Sequence, residues 1–564
     1  MSIKTFLGDF ELLTDAPNAV VKLREIILQL AVRGKLVPQY PNDEPVSILL
    51  ERMKAEKEEL ILNRTIVRDT SLPPIQKSEI PFKPGGWQWE RLGNLARFID
   101  YRGKTPPKTE SGIKLVTAKN VRMGFIKNEP EEYISEATYQ DWMTRGFPKY
   151  GDILLTTEAP LGNVAQLIIE EKIALAQRII DLQPFSDLFA RYLLTVLMSP
   201  LLQNSLNKNA TGMTAQGIKS ARLKLILIPV PPLPEQKRIV AKVDRLLILC
   251  DEIEKRQQQR QESIVRMNES AVAQLLSSQN PDDFRQHWQR ICNNFDLLYS
   301  IPETVPKLRQ AILQLAVQGK LVRQDPNDEP ADQLLKLIRE DRINKETNPR
   351  IKNQIANEPN INGQYKLPDG WIWTTTLQVC YLILDGDHNP PKRVLSGIPH
   401  LTARNIINNR IELNGCTFIS EEDFERVKKR YFPELGDVIL TCVGTLGRTA
   451  IISENIIFSA DRNLAILRPV AKFILPEYLQ LILNGPEMQA YIASADGSTA
   501  QPHIYLKQIR SLMCPLPPFT EQKRIVAKVD RLMSLCDELE GKLKEVRSHS
   551  EKLMEVAARE VLAV

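Results

Sequence analysis

Two short motifs could carry out chemistry on a nucleobase or a nucleotide, but each lacks a residue that this chemistry requires. Residues 389–391 read Asn-Pro-Pro, the start of the motif with which amino-methyltransferases hold an extruded base. Lys392 stands where an aromatic side chain must stack on that base. Residues 103–105 read Gly-Lys-Thr, the end of a phosphate-binding loop, but Phe98 replaces its first glycine. The sequence therefore predicts neither a methyltransferase centre nor an NTP site.

The cysteine and histidine patterns predict neither a disulfide framework nor a metal site. The seven cysteines are never spaced CxxC, and the five histidines never form HExxH. The 564 residues are 43% hydrophobic and 25% charged, as in a globular protein of about four domains. A net charge of +5 permits a nucleic-acid partner without requiring one. Because we find neither a membrane-spanning apolar run nor a signal-peptide pattern, we expect a cytoplasmic protein.

The sequence contains an internal repeat. Residues 235–246 and 521–532 both read EQKRIVAKVDRL, and residues 23–45 return at 308–330 with 18 of 23 positions identical. Between these blocks, roughly 150 residues have diverged in each copy while keeping the order of their motifs. An uneven repeat of this kind predicts one helical scaffold that carries two different globular domains.

Each copy ends in a long helix with a heptad pattern of apolar residues. From Pro234, a helix of about 40 residues would extend about 60 Å, enough to separate two domains. The pattern is predicted to continue toward the ends of both helices, at Ile264, Met267, Ala271, Leu543, Val546, Leu553 and Ala557. At its cysteine positions we expect small buried hydrophobic residues. The core of the predicted seam is Ile239, Val243, Leu246, Cys250, Ile253, Ile525, Val529, Leu532, Cys536 and Leu539.

A shorter amphipathic helix is predicted at residues 17–37 and again at 303–322, with Gly34 and Gly319 as left-handed caps. Residues 341–367, rich in Asn, Lys and Pro, are predicted to be a linker. The chain begins with one helical block and ends with the other. We therefore expect residues 17–62 to pack against residues 523–560.

The diverged stretches, residues 84–233 and 367–519, combine short β-type runs with a terminal apolar helix and a Pro-rich exit. This pattern predicts two mixed α+β domains. No acidic pair recurs in both copies with a partnering lysine, so the sequence does not predict a nuclease centre.

Polar residues in the loops beside these strands are candidates for DNA contacts, because Arg, Lys, Asn and Gln read guanine and adenine edges. Arg178 is aligned with Arg462, and a Thr-x-Gln turn precedes the last short helix of each domain, where helix-start amides suit phosphate. A turn or capping role is an equally good interpretation of each residue. The candidates are Lys104, Lys119, Asn120, Arg178, Thr214, Gln216, Arg404, Asn405, Arg462, Thr499 and Gln501.

With these elements, the chain resembles the specificity subunit of a type I restriction-modification system. The most specific element is Pro-Pro-x-x-Glu-Gln-Lys-Arg-Ile-Val-x-Lys-Val-Asp, at residues 231–244 and 517–530. The strand segments at 151–165 and 436–450 support the resemblance. It implies an α+β fold with two mixed α/β target recognition domains. A long antiparallel helical coiled-coil spacer would separate them within an internal pseudo-twofold repeat.

The resemblance also implies a function. Each domain would read one half of a bipartite double-stranded DNA target, while the helices set the spacer and dock two modification subunits. Restriction subunits would add the motor and nuclease. The chain itself is expected to have no catalytic residues, no metal and no cofactor. S-adenosylmethionine, ATP and Mg²⁺ are expected on the partner subunits.

The expected segments are a helical region with linker at 1–83, recognition domains at 84–233 and 367–519, a central helical spacer with linker at 234–366, and a coiled-coil helix at 520–564. Two other interpretations stay open. One is a stand-alone DNA methyltransferase or nuclease, which S-adenosylmethionine binding by the isolated chain would test. The other is a coiled-coil scaffold that does not bind DNA, which DNA binding by the isolated domains would contradict.

Overall fold

The structure is a computed structural model that describes residues 16–66, 71–82, 85–101, 105–185, 188–212, 216–363, 365–387, 389, 391–494 and 502–563. It divides into two compact units, Met1–Arg260 with Val546–Val564, and Gln261–Glu545. Both units are mixed α/β structures built from the same succession of elements, so the predicted fold class and internal repeat are confirmed. Among the described residues, no helix is both long enough and apolar enough to span a membrane.

The first unit has a four-stranded antiparallel sheet in the order β2-β8-β5-β6, a three-stranded sheet in the order β4-β3-β7, and the pair β1–β9. Its helices are α1 (Ala19–Val32), α2 (Val46–Leu62), α3 (Leu92–Leu95), α4 (Glu136–Trp142), α5 (Ala190–Met198), α6 (Pro200–Asn209), α7 (Ser220–Leu223) and the first part of α8 (Leu233–Leu276). Its strands are β1 (Gln88–Arg91), β2 (Ala96–Asp100), β3 (Ile113–Val116), β4 (Tyr133–Ile134), β5 (Ile153–Thr157), β6 (Leu161–Gln166), β7 (Ile173–Leu175), β8 (Ile179–Pro184) and β9 (Leu227–Val230).

The second unit repeats these sheets as β11-β19-β16-β17, β15-β12-β18 and β10–β20, and adds the hairpin β13–β14. Its helices are α9 (Pro281–Asn293), α10 (Phe295–Leu298), α11 (Val305–Val317), α12 (Ala331–Lys345), α13 (Pro349–Ala356), α14 (Thr376–Val379), α15 (Glu421–Val427), α16 (Pro476–Asn484), α17 (Pro486–Ser494), α18 (Leu506–Arg510) and most of α19 (Phe519–Ala563). Its strands are β10 (Ile372–Thr375), β11 (Cys380–Asp385), β12 (Ile398–Leu401), β13 (Ile406–Ile407), β14 (Arg410–Ile411), β15 (Thr417–Ile419), β16 (Val438–Thr441), β17 (Thr449–Ile451), β18 (Ser459–Ala460), β19 (Leu464–Pro469) and β20 (Met513–Leu516).

In each four-stranded sheet, one of the two inner strands, β5 or β16, is buried on both faces. In β5, Ile153 and Leu155 point into the core that contains the helices, while Leu154 points into the core of the smaller sheet. In β16, Leu440 points into the core that contains the helices, and Ile439 points into the core of the smaller sheet. Successive side chains of a strand alternate between faces, so an unbroken apolar run is what such a doubly covered strand requires.

The long helices α8 and α19 bury the positions of the predicted seam. Ile239, Val243, Cys250 and their counterparts Ile525, Val529 and Cys536 are all at most 5% exposed, and the other four predicted positions are half-buried. Whether these residues form a coiled-coil seam stays a prediction.

The predicted continuation of the pattern is only partly right, since Ile264 and Ala557 are at most 3% exposed but three other positions are not buried. Met267 is 42% exposed, and Val546 and Leu553 are each 63% exposed. Near the end of α19 the buried face is formed by Met554 and Ala558 together with the predicted Ala557. An α-helix has 3.6 residues per turn, so its buried stripe drifts away from a strict seven-residue repeat.

The end of α19 packs on the start of the chain within the first unit. Met554, Ala557 and Ala558 share a hydrophobic core with residues of α1. Asn18 Nδ2 also donates a hydrogen bond to the carbonyl oxygen of Glu551 over 3.4 Å. This is part of the packing expected between residues 17–62 and 523–560.

The predicted linker at 341–367 is wrong, because this segment holds the end of α12 and the whole of α13. Arg342 pairs with Glu358 over 2.8 Å, and the two side chains are only 7% and 12% exposed. A composition rule assigns such charged residues to solvent. Here an internal ion pair, with a further bond from Arg342 to the carbonyl oxygen of Gln378, makes their burial possible.

Candidate nucleic-acid interface

Four loops of the first unit are joined by backbone hydrogen bonds beside the ends of β3, β5 and β8. Ala176 N donates to Val116 O over 2.9 Å, Thr157 N to Arg178 O over 2.9 Å, and Ile218 N to Thr157 O over 3.0 Å. These bonds bring the loop after β3, the β5–β6 turn, the β7–β8 connection and the segment before α7 to one edge of the domain.

The second unit builds the same edge with the same bonds. Asp461 N donates to Leu401 O over 2.9 Å, Cys442 N to Asn463 O over 2.9 Å, and Ile504 N to Cys442 O over 3.0 Å. The frame is therefore common to both domains, whereas the side chains that it presents differ.

A cleft of about 510 Å³ lies among the loops of the second unit. It is lined by Thr402, Arg404, Asn414 and Asn463 together with residues 443–445. Arg404 is exposed there, while Asn463 Oδ1 accepts a hydrogen bond from Ala403 N over 3.1 Å. Such a polar cleft with an exposed guanidinium presents hydrogen-bonding groups of the kind that read base edges and phosphates.

The predicted alignment of Arg178 with Arg462 is wrong by one residue. Arg178 O and Asn463 O accept the equivalent hydrogen bonds from Thr157 and Cys442, so Asn463 is the structural counterpart of Arg178. The counterpart of Arg462 is residue 177, a glutamine. Sequence reasoning missed Asn463 because it aligned two arginines, Arg178 and Arg462, by their residue type. The signal was present in the prolines at 184 and 469, whose alignment sets the correct register.

Asn120 and Asn405 have a clear internal role. Asn120 is 1% exposed, and its Oδ1 accepts hydrogen bonds from both the backbone N and the hydroxyl of Thr117 at 2.9 Å, while its Nδ2 donates to Pro130 O over 3.0 Å. Asn405 is 6% exposed and binds Thr402 in the same way. These amides hold the loops in shape, and whether they also contact bases stays a prediction.

The other described candidates lie on the surface of the two domains. Arg178 has a left-handed φ of 73°, and its guanidinium lies 3.8 Å from the Glu158 carboxylate. The exposed candidates are Lys119, Arg178, Gln216, Arg404 and Arg462. Lys104, Thr214, Thr499 and Gln501 lie outside the described residues. The DNA contacts of all these candidates stay predictions.

The acidic residue beside Arg462 is held inside the second domain. His400 Nε2 lies 3.4 Å from Asp461 Oδ2, and Arg393 lies 3.7 Å from the same oxygen. Burial acts to raise the pKa of Asp461, but the hydrogen bond and the charge of these neighbours hold it below its usual value overall. The carboxylate is therefore ionised and bound within the domain at neutral pH.

The repeated EQKR motif joins three segments in the first unit. Trp87 Nε1, just before β1, donates to Glu235 Oε1 over 3.0 Å, and Gln39 Nε2 donates to the same oxygen over 3.4 Å. Arg238 pairs with Asp43 over 2.6 Å. This joint connects the recognition domain, the segment after α1 and the start of α8, which explains why its residues recur together.

The second unit contains the same joint. Trp371 Nε1 donates to Glu521 Oε2 over 3.0 Å, Gln324 Nε2 reaches Glu521 over 3.2 Å, and Arg524 pairs with Asp328.

Among the described residues, no three His, Cys, Asp or Glu side chains cluster as they would around a metal ion.

Comparison with known proteins defines the class. The family model described as "Type I restriction modification DNA specificity domain" matches residues 84–262 and 395–546. The EcoAI type I specificity subunit of Escherichia coli is 33% identical over 553 residues, covering 94% of this chain and 91% of the relative. The EcoEI specificity subunit of the same species is 28% identical, with the same coverage of both chains. The chain therefore belongs to the family of type I restriction enzyme specificity subunits.

A solved structure of the HsdS subunit from Thermoanaerobacter tengcongensis covers 86% of this chain and 99% of its own. It is 18% identical, with a TM-score of 0.40.

Proposed function

We propose that this chain is the sequence-specific DNA-recognition subunit of a type I restriction-modification complex, with each recognition domain reading one half of a bipartite target. The observation that carries the proposal is the common loop frame of the two domains. Its backbone hydrogen bonds are the same in both copies, whereas its exposed side chains differ. One frame with two sets of side chains is what two different half-sites require.

The proposed DNA contacts come from the exposed residues at these loops. In the first domain they are Lys119, Arg178 and Gln216, and in the second Arg404 and Arg462. Arginine can bind guanine bidentately in the major groove, and lysine binds guanine or a phosphate. Glu158 beside Arg178 would accept a hydrogen bond from the amino group of a cytosine, since that group is a donor in the major groove.

We also propose partners and cofactors on the basis of family membership. Membership among specificity subunits implies a non-catalytic role for this chain, and methylation and cleavage by the complete complex would depend on it. The helical scaffold would dock two modification subunits, joined by restriction subunits in the cytoplasm. S-adenosylmethionine, ATP and Mg²⁺, as the ligands of methylation and cleavage, would bind to those partners.

The direct test is a comparison of adenine methylation in the genome with and without the gene for this chain, in cells that hold an active modification subunit. Loss of a bipartite adenine mark is the expected result, together with co-purification of the modification subunit with the tagged chain. An unchanged pattern of methylation would contradict the proposal.

A further inference from the structure

The second unit contains a cavity of about 140 Å³ between α11, the helix pair α16–α17 and the strand pair β10–β20. Its walls are mostly aromatic and apolar, and include Tyr365, Trp373 and Tyr491. Among its lining residues, all of them described, Glu487 is the one with a formal charge. None of these residues lines the polar cleft among the loops of the second unit. The cavity is therefore a separate site with the character of a pocket for a planar, uncharged group.

One polar group in the wall of this cavity is unpaired. Gln314 of α11 is 3% exposed, and neither its Oε1 nor its Nε2 has a hydrogen-bond partner within the described part of the chain. Burial of a carboxamide without a partner is destabilising, so such a group needs an explanation.

The internal repeat supplies a comparison. Gln29 is the counterpart of Gln314, and its Oε1 accepts a hydrogen bond from Leu201 N at the start of α6 over 3.1 Å. In the second unit the corresponding bond is not formed. One position of the wall has also become aromatic, because Tyr491 stands where the first unit has Ser205. Both glutamines line a cavity of their own unit, but Gln314 has no hydrogen-bond partner among the described residues.

The chemistry of the cavity indicates its ligand. A carboxamide presents a donor beside an acceptor, which matches the N6 amino group and N7 of adenine. Aromatic faces stack on nucleobases whatever their sequence context. The carboxylate of Glu487 disfavours a polyphosphate. We propose that this cavity binds the adenine moiety of a nucleoside, with Gln314 pairing to its edge, a function independent of DNA recognition by the loops.

The test is calorimetric titration of the full chain with adenosine, inosine and ATP. Adenosine is expected to bind saturably. Inosine has an oxygen in place of the N6 amino group and is expected to bind about tenfold more weakly or worse. ATP is expected to bind more weakly than adenosine because its phosphates meet Glu487. Absence of adenosine binding at about 1 mM, equal affinity for inosine, or tighter binding of ATP would overturn the proposal.

Two substitutions at equivalent places form a matched pair. Gln314→Leu should weaken adenosine binding about tenfold or more, whereas Gln29→Leu should leave it unchanged. Gln314→Glu keeps the shape and removes the amide donor, and it replaces the leucine variant if that variant does not fold. Equal effects of the substitutions at positions 29 and 314 would contradict the assignment of this cavity.

Discussion

The indole Nε1 of Trp371 donates a hydrogen bond to Glu521 over 3.0 Å, which joins the base of the second recognition domain to the first turn of α19. Both residues are at most 6% exposed. The equivalent bond between Trp87 and Glu235 has the same length. The domain-to-helix connection is thus the part of the molecule that the duplication has kept most constant, which is expected if it fixes where each domain stands on its helix.

The Trp371→Phe substitution should destabilise this joint. It removes the indole donor and leaves a buried carboxylate with one hydrogen bond fewer, at a cost of about 1–3 kcal/mol. We expect the midpoint of thermal unfolding to fall by about 2 °C or more. Trp288→Phe is the control, because Trp288 is 47% exposed. Equal midpoints for the two variants would show that the bond does not stabilise the joint.

A buried acid in the first domain predicts a dependence of stability on pH. Asp181 is fully buried, and burial, with the nearby charge of Asp152 as a second cause, raises its pKa well above 3.8. The unfolded chain loses this proton near pH 3.8, whereas the folded chain keeps it to higher pH. The stability that the group contributes is therefore present below pH 3.8 and is lost as the pH rises through the folded-state pKa.

The Asp181→Asn substitution removes this titration. We expect the variant to unfold at a higher temperature than the parent at pH 7, and the difference to shrink as the pH approaches 4. Thermal unfolding of both proteins between pH 4 and pH 8 provides the measurement. Asp282→Asn serves as a control because the side chain of Asp282 is 88% exposed. A difference that stays constant over this range would contradict the raised pKa.

Much of the architecture could be predicted from the sequence because it follows from patterns that repeat. The duplicated EQKR blocks revealed the scaffold, and the turn positions at Gly34 and Gly319 both have the predicted left-handed φ of 68°. The end of the seam could not be predicted, because the burial of Met554 in place of Leu553 depends on helix drift and on the partner surface supplied by α1.

The site was harder to predict than the fold. Side-chain type made Asn120 and Asn405 as plausible for base reading as Arg404, because asparagine amides serve both loops and bases. Only the hydrogen bonds within the domain distinguish them. The one-residue error between Arg178 and Asn463 has the same origin, since register in a diverged loop is fixed by backbone pairing and not by residue type.

Asn405→Ala should disturb folding before it disturbs recognition. The amide of Asn405 accepts from Thr402 N over 2.9 Å and donates to Glu412 O over 3.0 Å. Its loss leaves buried partners unpaired, at a cost of about 1–3 kcal/mol. We expect a lower midpoint of thermal unfolding, measured by circular dichroism. An unchanged midpoint combined with weaker DNA binding would instead make Asn405 a direct DNA contact.

Arg404→Ala should have the opposite effect, because Arg404 is exposed at the cleft among the loops of the second unit. We expect unchanged thermal stability and a loss of about 1–3 kcal/mol in binding free energy for DNA that contains the target. Fluorescence anisotropy at fixed salt concentration measures this loss. Lys336→Ala removes a charge of the same sign from α12 and should leave the affinity nearly unchanged. Equal losses for both variants would indicate a non-specific charge effect.

The central claim is that each recognition domain reads its own half of the target, and a chimera tests it most directly. In this chimera, residues 84–233 are inserted a second time in place of residues 367–519, and genomic adenine methylation is then sequenced. We expect a new bipartite mark in which both halves are the half-site read by residues 84–233. A mark that keeps the original second half would contradict it.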